Sequence, residues 1–206
     1  LASFYERAGE VETLGGSRGS ITIIGAVSPQ GGDFSEPVTQ NTKRFVRCFL
    51  ALDKSLAYAR HYPAINWLTS YSEYTGELDK WYTDHVHPDF VFQRNKMAKL
   101  LQEENDLMEI VKLVGADVLQ EEQKLVLEVC RVLRTGFLQQ NAFHAVDTYV
   151  PLEKQYYMMA VMLYLYDRSV EAVKGGIPVS VIKELGYFDQ CISVKYSVSN
   201  DDFSPL

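Results

Sequence analysis

The sequence lacks the features that define several common classes of protein. Its three cysteines, Cys48, Cys130 and Cys191, are far apart and form no C-x-x-C pair, which argues against a disulfide framework and against a zinc site. We interpret them as three buried thiols in a reducing compartment. No apolar run approaches the roughly 18 residues that span a bilayer, and no basic-then-apolar signal segment is present.

Positive charge is also scarce. The chain has 20 Lys and Arg residues against 27 Asp and Glu, a net charge of -7. This balance argues against a nucleic-acid partner, because phosphate binding needs a basic stripe. Hydrophobic residues make up 47% of the 206 residues and charged ones 23%, so we expect a packed core in one domain or two small ones.

The phosphate-binding loop of nucleotide hydrolases is missing. That motif needs a Gly-Lys pair in G-x-x-x-x-G-K-[ST], and the sequence contains no Gly-Lys dipeptide. The glycine-rich stretch at 28–37, SPQGGDFSEP, instead carries Asp33 and Glu36, whose charge would repel phosphate. The His85 and His87 pair is better explained as the polar end of a helix than as a metal site. We therefore predict no catalytic residue and no metal ligand in this chain.

Two kinds of pattern follow one another along the chain. Residues 21–27 are apolar and β-branched, as in a strand covered on both faces, and residues 39–61 carry apolar residues at a largely helical spacing. From residue 70 onward the signals are helical. The first 70 residues therefore predict the C-terminal part of an α/β sheet domain, and residues 71–206 a helical domain.

Three long segments of the helical part have the period of an α-helix, at 95–115, 120–140 and 152–176. A short helix is expected after Pro178. The tail, residues 186–206, stays unassigned, since ISVKYSV alternates like a strand but has no evident partner. The chain starts inside what reads as a helix, which predicts a piece of a longer protein.

Aromatic and amide side chains occur together at two bends. Tyr62, Pro63 and Phe143 would sandwich a flat ring, while Gln139, Gln140 or Asn141 would bond its edge. The alternative is that the two bends are ordinary packed corners.

Three blocks of the sequence closely resemble the catalytic A subunits of the rotary V/A-type ATPases. They are SPQGGDFSEPVTQNT, ALDKSLAYARHYPAINWLTSYSEY and FLQQNAFHAVDTY, and SFYERAG with GSITIIGAVSP fits the same family. The resemblance covers residues 1–175. It implies the end of a RecA-like nucleotide-binding domain followed by the helical C-terminal domain, with the P-loop in an upstream region.

The resemblance implies a pocket for the adenine of ATP or ADP, which would bind with Mg2+ in the intact complex. By this resemblance the base would lie between an aromatic of H-[FY]-P-[AS]-I-N and one of Q-Q-N-[AG]-[FY]. The corresponding residues here are Tyr62, Pro63, Gln140, Asn141, Ala142 and Phe143.

The resemblance also implies two surfaces that face a central rotor. The first is the glycine-rich loop, which would act as a catch loop near the rotor. The alternative interpretation is that this loop packs within its own subunit or against the B subunit. The second is the acidic helix-turn-helix at 101–128. The alternative interpretation is that this segment is a solvated amphipathic hairpin with no partner. The residues expected to face the rotor are Gly31, Gly32, Asp33, Phe34, Ser35, Glu36, Asp117, Glu121 and Glu122.

The expected function is therefore a share in ATP hydrolysis or synthesis coupled to proton or sodium transport. The partners would be the B subunit of the head and the central rotor, and the location cytoplasmic and peripheral to a membrane. By itself the chain is predicted to be inactive. A stand-alone helical interaction module, and a small enzyme with an unfamiliar site, are the competing hypotheses.

Overall fold

The computed structural model describes residues 1–202, which form two compact units. The first unit contains Leu1–Leu50 and Ser70–Tyr74. The second contains Ala51–Thr69 and the chain from Thr75 onward. The predicted tail ends with residues 203–206, which lie outside the described part of the chain.

Two antiparallel strand pairs and two helices make up the first unit. Strand β1 pairs with β2 from Gly9↔Ile21 to Glu12↔Arg18, and β3 pairs with β4 through Cys48↔Ser72 and Phe49↔Tyr71. The elements of this unit are α1 (Ala2–Tyr5), β1 (Gly9–Glu12), β2 (Arg18–Ile21), α2 (Pro37–Lys43), β3 (Cys48–Phe49) and β4 (Tyr71–Ser72).

The buried strand predicted at 21–27 is wrong. Strand β2 ends at Ile21, and residues 22–27 are irregular, with the Ile24 side chain 92% exposed. An apolar strand of this kind is stable only when neighbouring strands pair with it and other layers cover both faces. Within residues 1–202, no strand pairs with residues 22–27.

The prediction that residues 39–61 are largely helical is also wrong. Helix α2 ends at Lys43, and α3 begins only at Lys54, with strand β3 between them. Leu52, expected on a helical face, forms an extended bridge with Ile65 instead. Asp53 then starts α3 by accepting a hydrogen bond from the Ser55 backbone nitrogen, which satisfies a free donor of the first turn.

Helices dominate the second unit. The three long helices were predicted, and two of them end at a glycine, Gly115 after α6 and Gly175 after α8. The helices of this unit are α3 (Lys54–Tyr58), α4 (Tyr74–Glu77, whose first residue belongs to the first unit), α5 (Asp79–His85), α6 (Phe90–Val114), α7 (Glu121–Leu133), α8 (Leu152–Lys174), α9 (Val179–Glu184) and α10 (Tyr187–Ser197).

The core of the second unit lies where α6, α7, α8 and α10 pack together. Leu125, Val129 and Leu133 form the buried stripe of α7 at helical spacing, and all three are almost completely buried. The start of α7 is fixed by a reciprocal capping box between Gln120 and Gln123. These contacts pack the four helices into one core, from which the connecting loops extend.

The strand-like tail is a helix. Residues 187–197 form α10, which buries Phe188, Cys191 and Lys195 against the other helices. The three positions are spaced as on one face of a helix, but one of them is a lysine, so the apolar period is incomplete in the sequence.

The prediction of three buried thiols is wrong for one of them. Cys130 and Cys191 are buried, whereas Cys48 is exposed on the two-residue strand β3. Among residues 1–202, no helix combines the length and the apolarity that crossing a membrane requires.

Candidate functional site

A cavity of about 610 Å³ opens in the second unit between the two aromatic-amide bends. All six residues predicted to hold the base border it, although they come from segments almost 80 residues apart. The lining residues are Arg60, Tyr62, Pro63, Gln139, Gln140, Asn141, Ala142, Phe143, Thr148 and Tyr196.

The first wall follows helix α3. Arg60 has φ 57°, a left-handed conformation that is uncommon for a residue with a side chain, and it turns the chain out of the helix. The chain then bends at Tyr62 and Pro63. Hydrogen bonds from the Asp53 nitrogen to the Ala64 oxygen and from the Asn66 nitrogen to the Ala51 oxygen hold the residues that follow. Tyr62 is thereby placed at the rim with 54% of its surface exposed.

The second wall follows helix α7. Its last turn widens into a π-helical turn, Arg134–Leu138, after which the chain becomes extended at Gln139. The Asn141 side-chain oxygen then accepts a hydrogen bond from the Phe143 nitrogen at 3.0 Å, which forms a tight turn. This turn leaves the Phe143 ring 100% exposed.

The two walls are joined directly. The Gln140 nitrogen donates to the Tyr62 oxygen at 2.7 Å, and the Gln139 side-chain nitrogen donates to the Arg60 oxygen at 3.3 Å. The separation between the two bends is therefore set by hydrogen bonds to the backbone rather than by contacts between the aromatic side chains.

The lining of the cavity suits a flat, neutral ring with a polar edge. Aromatic faces stack on such rings, and amide groups supply donors and acceptors side by side. None of the ten lining residues is acidic. His61 lies beside the first wall, and its pKa is lowered mainly by burial and further by the charges of Arg134 and Lys195. The lowered pKa favours the neutral imidazole.

The sequence did not single out every residue that borders the cavity. Arg60 and Thr148 lie within two of the sequence blocks that resemble the family, and this was the available signal for them. Tyr196 lies in α10, which was unassigned, and nothing in the sequence links it to the two bends.

The glycine-rich loop of the first unit turns sharply. Gly31 and Gly32 have φ values of 68° and 79°, which favour glycine. The Asp33 carboxylate accepts a hydrogen bond from the Ser35 nitrogen at 2.9 Å, and bonds from Ser35 hold the pKa of Asp33 below its usual value. Asp33 therefore stays charged on an exposed loop, while Phe34 packs edge-on against Phe49.

The acidic residues of the α6–α7 hairpin differ in their surroundings. Asp117 and Glu122 are exposed. The Glu121 carboxylate is bound within the unit, since it accepts hydrogen bonds from Lys124 at 2.9 Å and from the Val179 nitrogen, at the start of α9, at 2.8 Å. Of the three, Glu121 is the least available to another protein.

The two histidines near the end of α5 are bound to aromatic neighbours. The His85 ring stacks on Trp81, and the His87 ring stacks on Tyr156 with centroids 3.9 Å apart. Across the described range 1–202, no group of three or more His, Cys, Asp or Glu side chains has the geometry to hold a metal ion.

Two family models match the chain in succession. The nucleotide-binding domain of the ATP synthase alpha/beta family matches residues 1–72. The C-terminal domain of V and A type ATP synthase matches residues 79–182. This is the order of domains predicted from the sequence.

Similar proteins agree with these models. The V-type ATP synthase alpha chain 2 of Clostridium tetani is 59% identical over all of this chain and 35% of its own length. The V-type ATP synthase alpha chain of Halothermothrix orenii is 56% identical over 98% of this chain and 34% of its own length. The chain thus spans about a third of the length of these curated relatives.

A solved structure shares the fold. It is described as a unique ATP synthase subunit from Nanoarcheaum equitans, and it superposes with a TM-score of 0.64 at 25% identity. The match covers 81% of this chain and 38% of that one.

Proposed function

The chain belongs to the V- and A-type ATP synthase family, whose C-terminal domain it contains, and from this we propose that it supplies the nucleotide-base pocket of a catalytic A subunit. The observation that carries the proposal is the single cavity bordered by both aromatic-amide bends. The exposed rings of Tyr62 and Phe143 would stack on the adenine of ATP or ADP. The amides of Gln140 and Asn141 would bond its edge.

The phosphate chemistry would belong to another part of the complete protein. This chain has no Gly-Lys dipeptide, so a P-loop lysine and a bound Mg2+ would come from outside it. ATP would bind at the boundary with the B subunit. The complex would couple its hydrolysis or synthesis to proton or sodium transport, with this chain on the cytoplasmic side and peripheral to the membrane.

Two further surfaces would contact the central rotor. The first is the catch loop of Gly31, Gly32, Asp33, Phe34, Ser35 and Glu36. The second is the turn of the α6–α7 hairpin, where Asp117 and Glu122 are exposed. Basic side chains on the rotor would complement these carboxylates, while Glu121 would mainly hold the start of α9.

The pocket is tested in the full-length protein, in complex with its B subunit. Replacement of Phe143 by Ala is expected to weaken ATP binding about fivefold to a hundredfold, because base stacking contributes about 1–3 kcal/mol. Phe143→Tyr keeps the ring and should bind ATP like the unsubstituted protein. The dissociation constants of ATP and of inorganic tripolyphosphate are measured by calorimetry.

The control separates the base from the phosphates. Tripolyphosphate has no base, so its affinity should not change in Phe143→Ala. Phe92 is an exposed phenylalanine of α6 outside the cavity, and Phe92→Ala should leave both affinities unchanged. Unaltered ATP binding in Phe143→Ala would refute the base pocket and favour a helical interaction module without nucleotide chemistry.

A further inference from the structure

Helix α10 brings Tyr196 to the base cavity and buries the adjacent residue, Lys195. Tyr196 borders the cavity and is 39% exposed, and its ring lies 4.6 Å from the ring of His144. Lys195 does not border the cavity and is only 2% exposed. Its ammonium group lies 4.9 Å from the centre of the Tyr196 ring, a cation–π contact that fixes the ring from behind.

The buried ammonium group of Lys195 binds the backbone that leads into the pocket. It donates to the Thr135 oxygen at 2.8 Å and to the Gln139 oxygen at 2.7 Å. These carbonyls lie at the end of a helix, where acceptors have no partner within the helix. Lys195 thereby fixes the point at which the chain leaves the π-helical turn, immediately before Gln140.

Asp147 holds the same loop from the other side. Its carboxylate accepts a hydrogen bond from the Asn141 nitrogen at 2.6 Å and lies 3.9 Å from the Lys195 ammonium. Asp147 is 2% exposed, so the pair is shielded from water. Removing one member of such a pair leaves the other charge buried without its partner, which is costly. The segment Gln139–Asn141 is therefore clamped at both ends.

A second buried lysine secures α10 itself. Lys154 of α8 is 0% exposed and donates to the Lys195 oxygen, the Val198 oxygen and the Asn200 side-chain oxygen. Asn200 in turn donates to the oxygens of Val146 and Tyr149. The end of α10 is thus bound to the loop that follows Phe143, so helix and loop form one structure.

We propose that α10 is part of the base-binding site, with Tyr196 as an additional wall against the purine and Lys195 as the residue that positions the Gln139–Asn141 segment. This inference rests on the proposed function. It adds a specificity element to the pocket, and it predicts that changes in α10 alter the recognition of the base and not that of the phosphates.

Tyr196 is tested first, because its side chain is partly exposed and its loss leaves the core intact. In the full-length protein, in complex with its B subunit, Tyr196→Ala should weaken ATP binding about fivefold and leave tripolyphosphate binding unchanged. Tyr196→Phe keeps the ring and should bind ATP normally. Tyr187→Ala is the matched control, since Tyr187 lies on the same helix, is exposed and is outside the cavity.

Lys195 is tested by the ratio of ATP affinity to tripolyphosphate affinity. Lys195→Met removes the two bonds to the loop and should lower this ratio at least fivefold, and Lys195→Arg, which keeps charge and donors, should restore part of it. A general loss of structure would lower both affinities together and leave the ratio unchanged, which would count against a positioning role. If Lys195→Met does not fold, the Tyr196 variants decide the proposal.

The outcomes separate this inference from the proposed function. If Phe143→Ala weakens ATP binding but Tyr196→Ala does not, the pocket stands and the role of α10 is refuted. If neither variant changes ATP binding, the proposed function fails and the inference fails with it.

Discussion

The helical unit contains buried charged side chains, and Glu128 is one of them. Glu128 is 8% exposed and is bound by Arg131, with the closest contact at 2.6 Å, and by Lys183 at 2.9 Å. Burial alone would raise the pKa of Glu128, but the bonds from Arg131 and Lys183 outweigh it and hold the pKa below its usual value. The Glu128 carboxylate therefore links α7 to α9 in its charged form.

We expect Glu128→Gln to lower the free energy of unfolding by about 2 kcal/mol at pH 7, less than for a fully buried pair because Arg131 and Lys183 are partly exposed. Because the pKa of Glu128 is lower in the folded chain than in the unfolded chain, where it is near 4.5, the charged carboxylate stabilises the fold at pH values above 4.5. This stabilisation is lost as the pH falls through the pKa of Glu128 in the folded chain. Urea unfolding of the chain from pH 7 to pH 3 checks this.

The control for Glu128 is Glu109, whose pair with Lys112 is largely exposed. Glu109→Gln should change stability by less than about 0.5 kcal/mol at either pH. The interpretation fails if the difference between Glu128→Gln and the unsubstituted chain stays constant down to pH 3.

Secondary-structure elements could be predicted where the apolar period repeats over many residues. The sequence predicted α6, α7 and α8 because each is long enough to repeat its apolar spacing despite single buried polar residues such as Lys154, and glycines mark the ends of α6 and α8. Helix α10 was missed because Lys195 occupies a buried position of its stripe. The strand at 21–27 was predicted from β-branched residues alone, which do not show whether neighbouring strands are present.

The residues of the candidate site also differ in whether the sequence could predict them. Its two main walls lie within recognisable motifs, so Tyr62 and Phe143 could be named from the sequence. Tyr196 could not be named, because only the packing of α10 against the π-helical turn and α8 brings it to the cavity.

Close packing of α10 depends on Gly136 in the π-helical turn. A methyl group at Gly136 would lie 2.9 Å from the end of Met162 and 3.0 Å from the Ile192 backbone, so α10 would have to move. We expect Gly136→Ala to lower the free energy of unfolding by about 1–3 kcal/mol, since overpacking forces such shifts. Thermal and urea unfolding, followed by circular dichroism, measure the effect.

Gly76 of α4 offers the matched control, because a methyl group there meets nothing within 4 Å. Gly76→Ala should be neutral or stabilise the chain by up to about 1 kcal/mol. If Gly136→Ala is as stable as the unsubstituted chain, α10 is not packed as tightly as described.

At the scale of the whole molecule, the chain joins two compact units of different kinds. The smaller unit matches part of a nucleotide-binding domain, and the larger one contains the helical domain together with both walls of the cavity. The proposed base pocket therefore lies in a chain whose sequence lacks the phosphate-binding lysine motif.

We expect the 206-residue chain to release no phosphate from magnesium-ATP, whereas the full-length protein with the proposed B subunit should release it. The physical reason is that stacking holds the base but cannot stabilise the charge that develops on the transferred phosphate. A colorimetric assay of phosphate release, with a protein-free blank, measures both. Release by this chain that persists through further purification would reveal a catalytic site within it.

The buried ammonium of Lys154 has a consequence for grafting the helical domain into another protein. All three of its acceptors lie between Lys195 and Asn200, beyond residue 182, where the match to the C-terminal domain model ends. A transplant that ends at residue 182 would lose α10 and leave the buried Lys154 ammonium without these three hydrogen-bond acceptors. The portable piece therefore runs at least through Asn200.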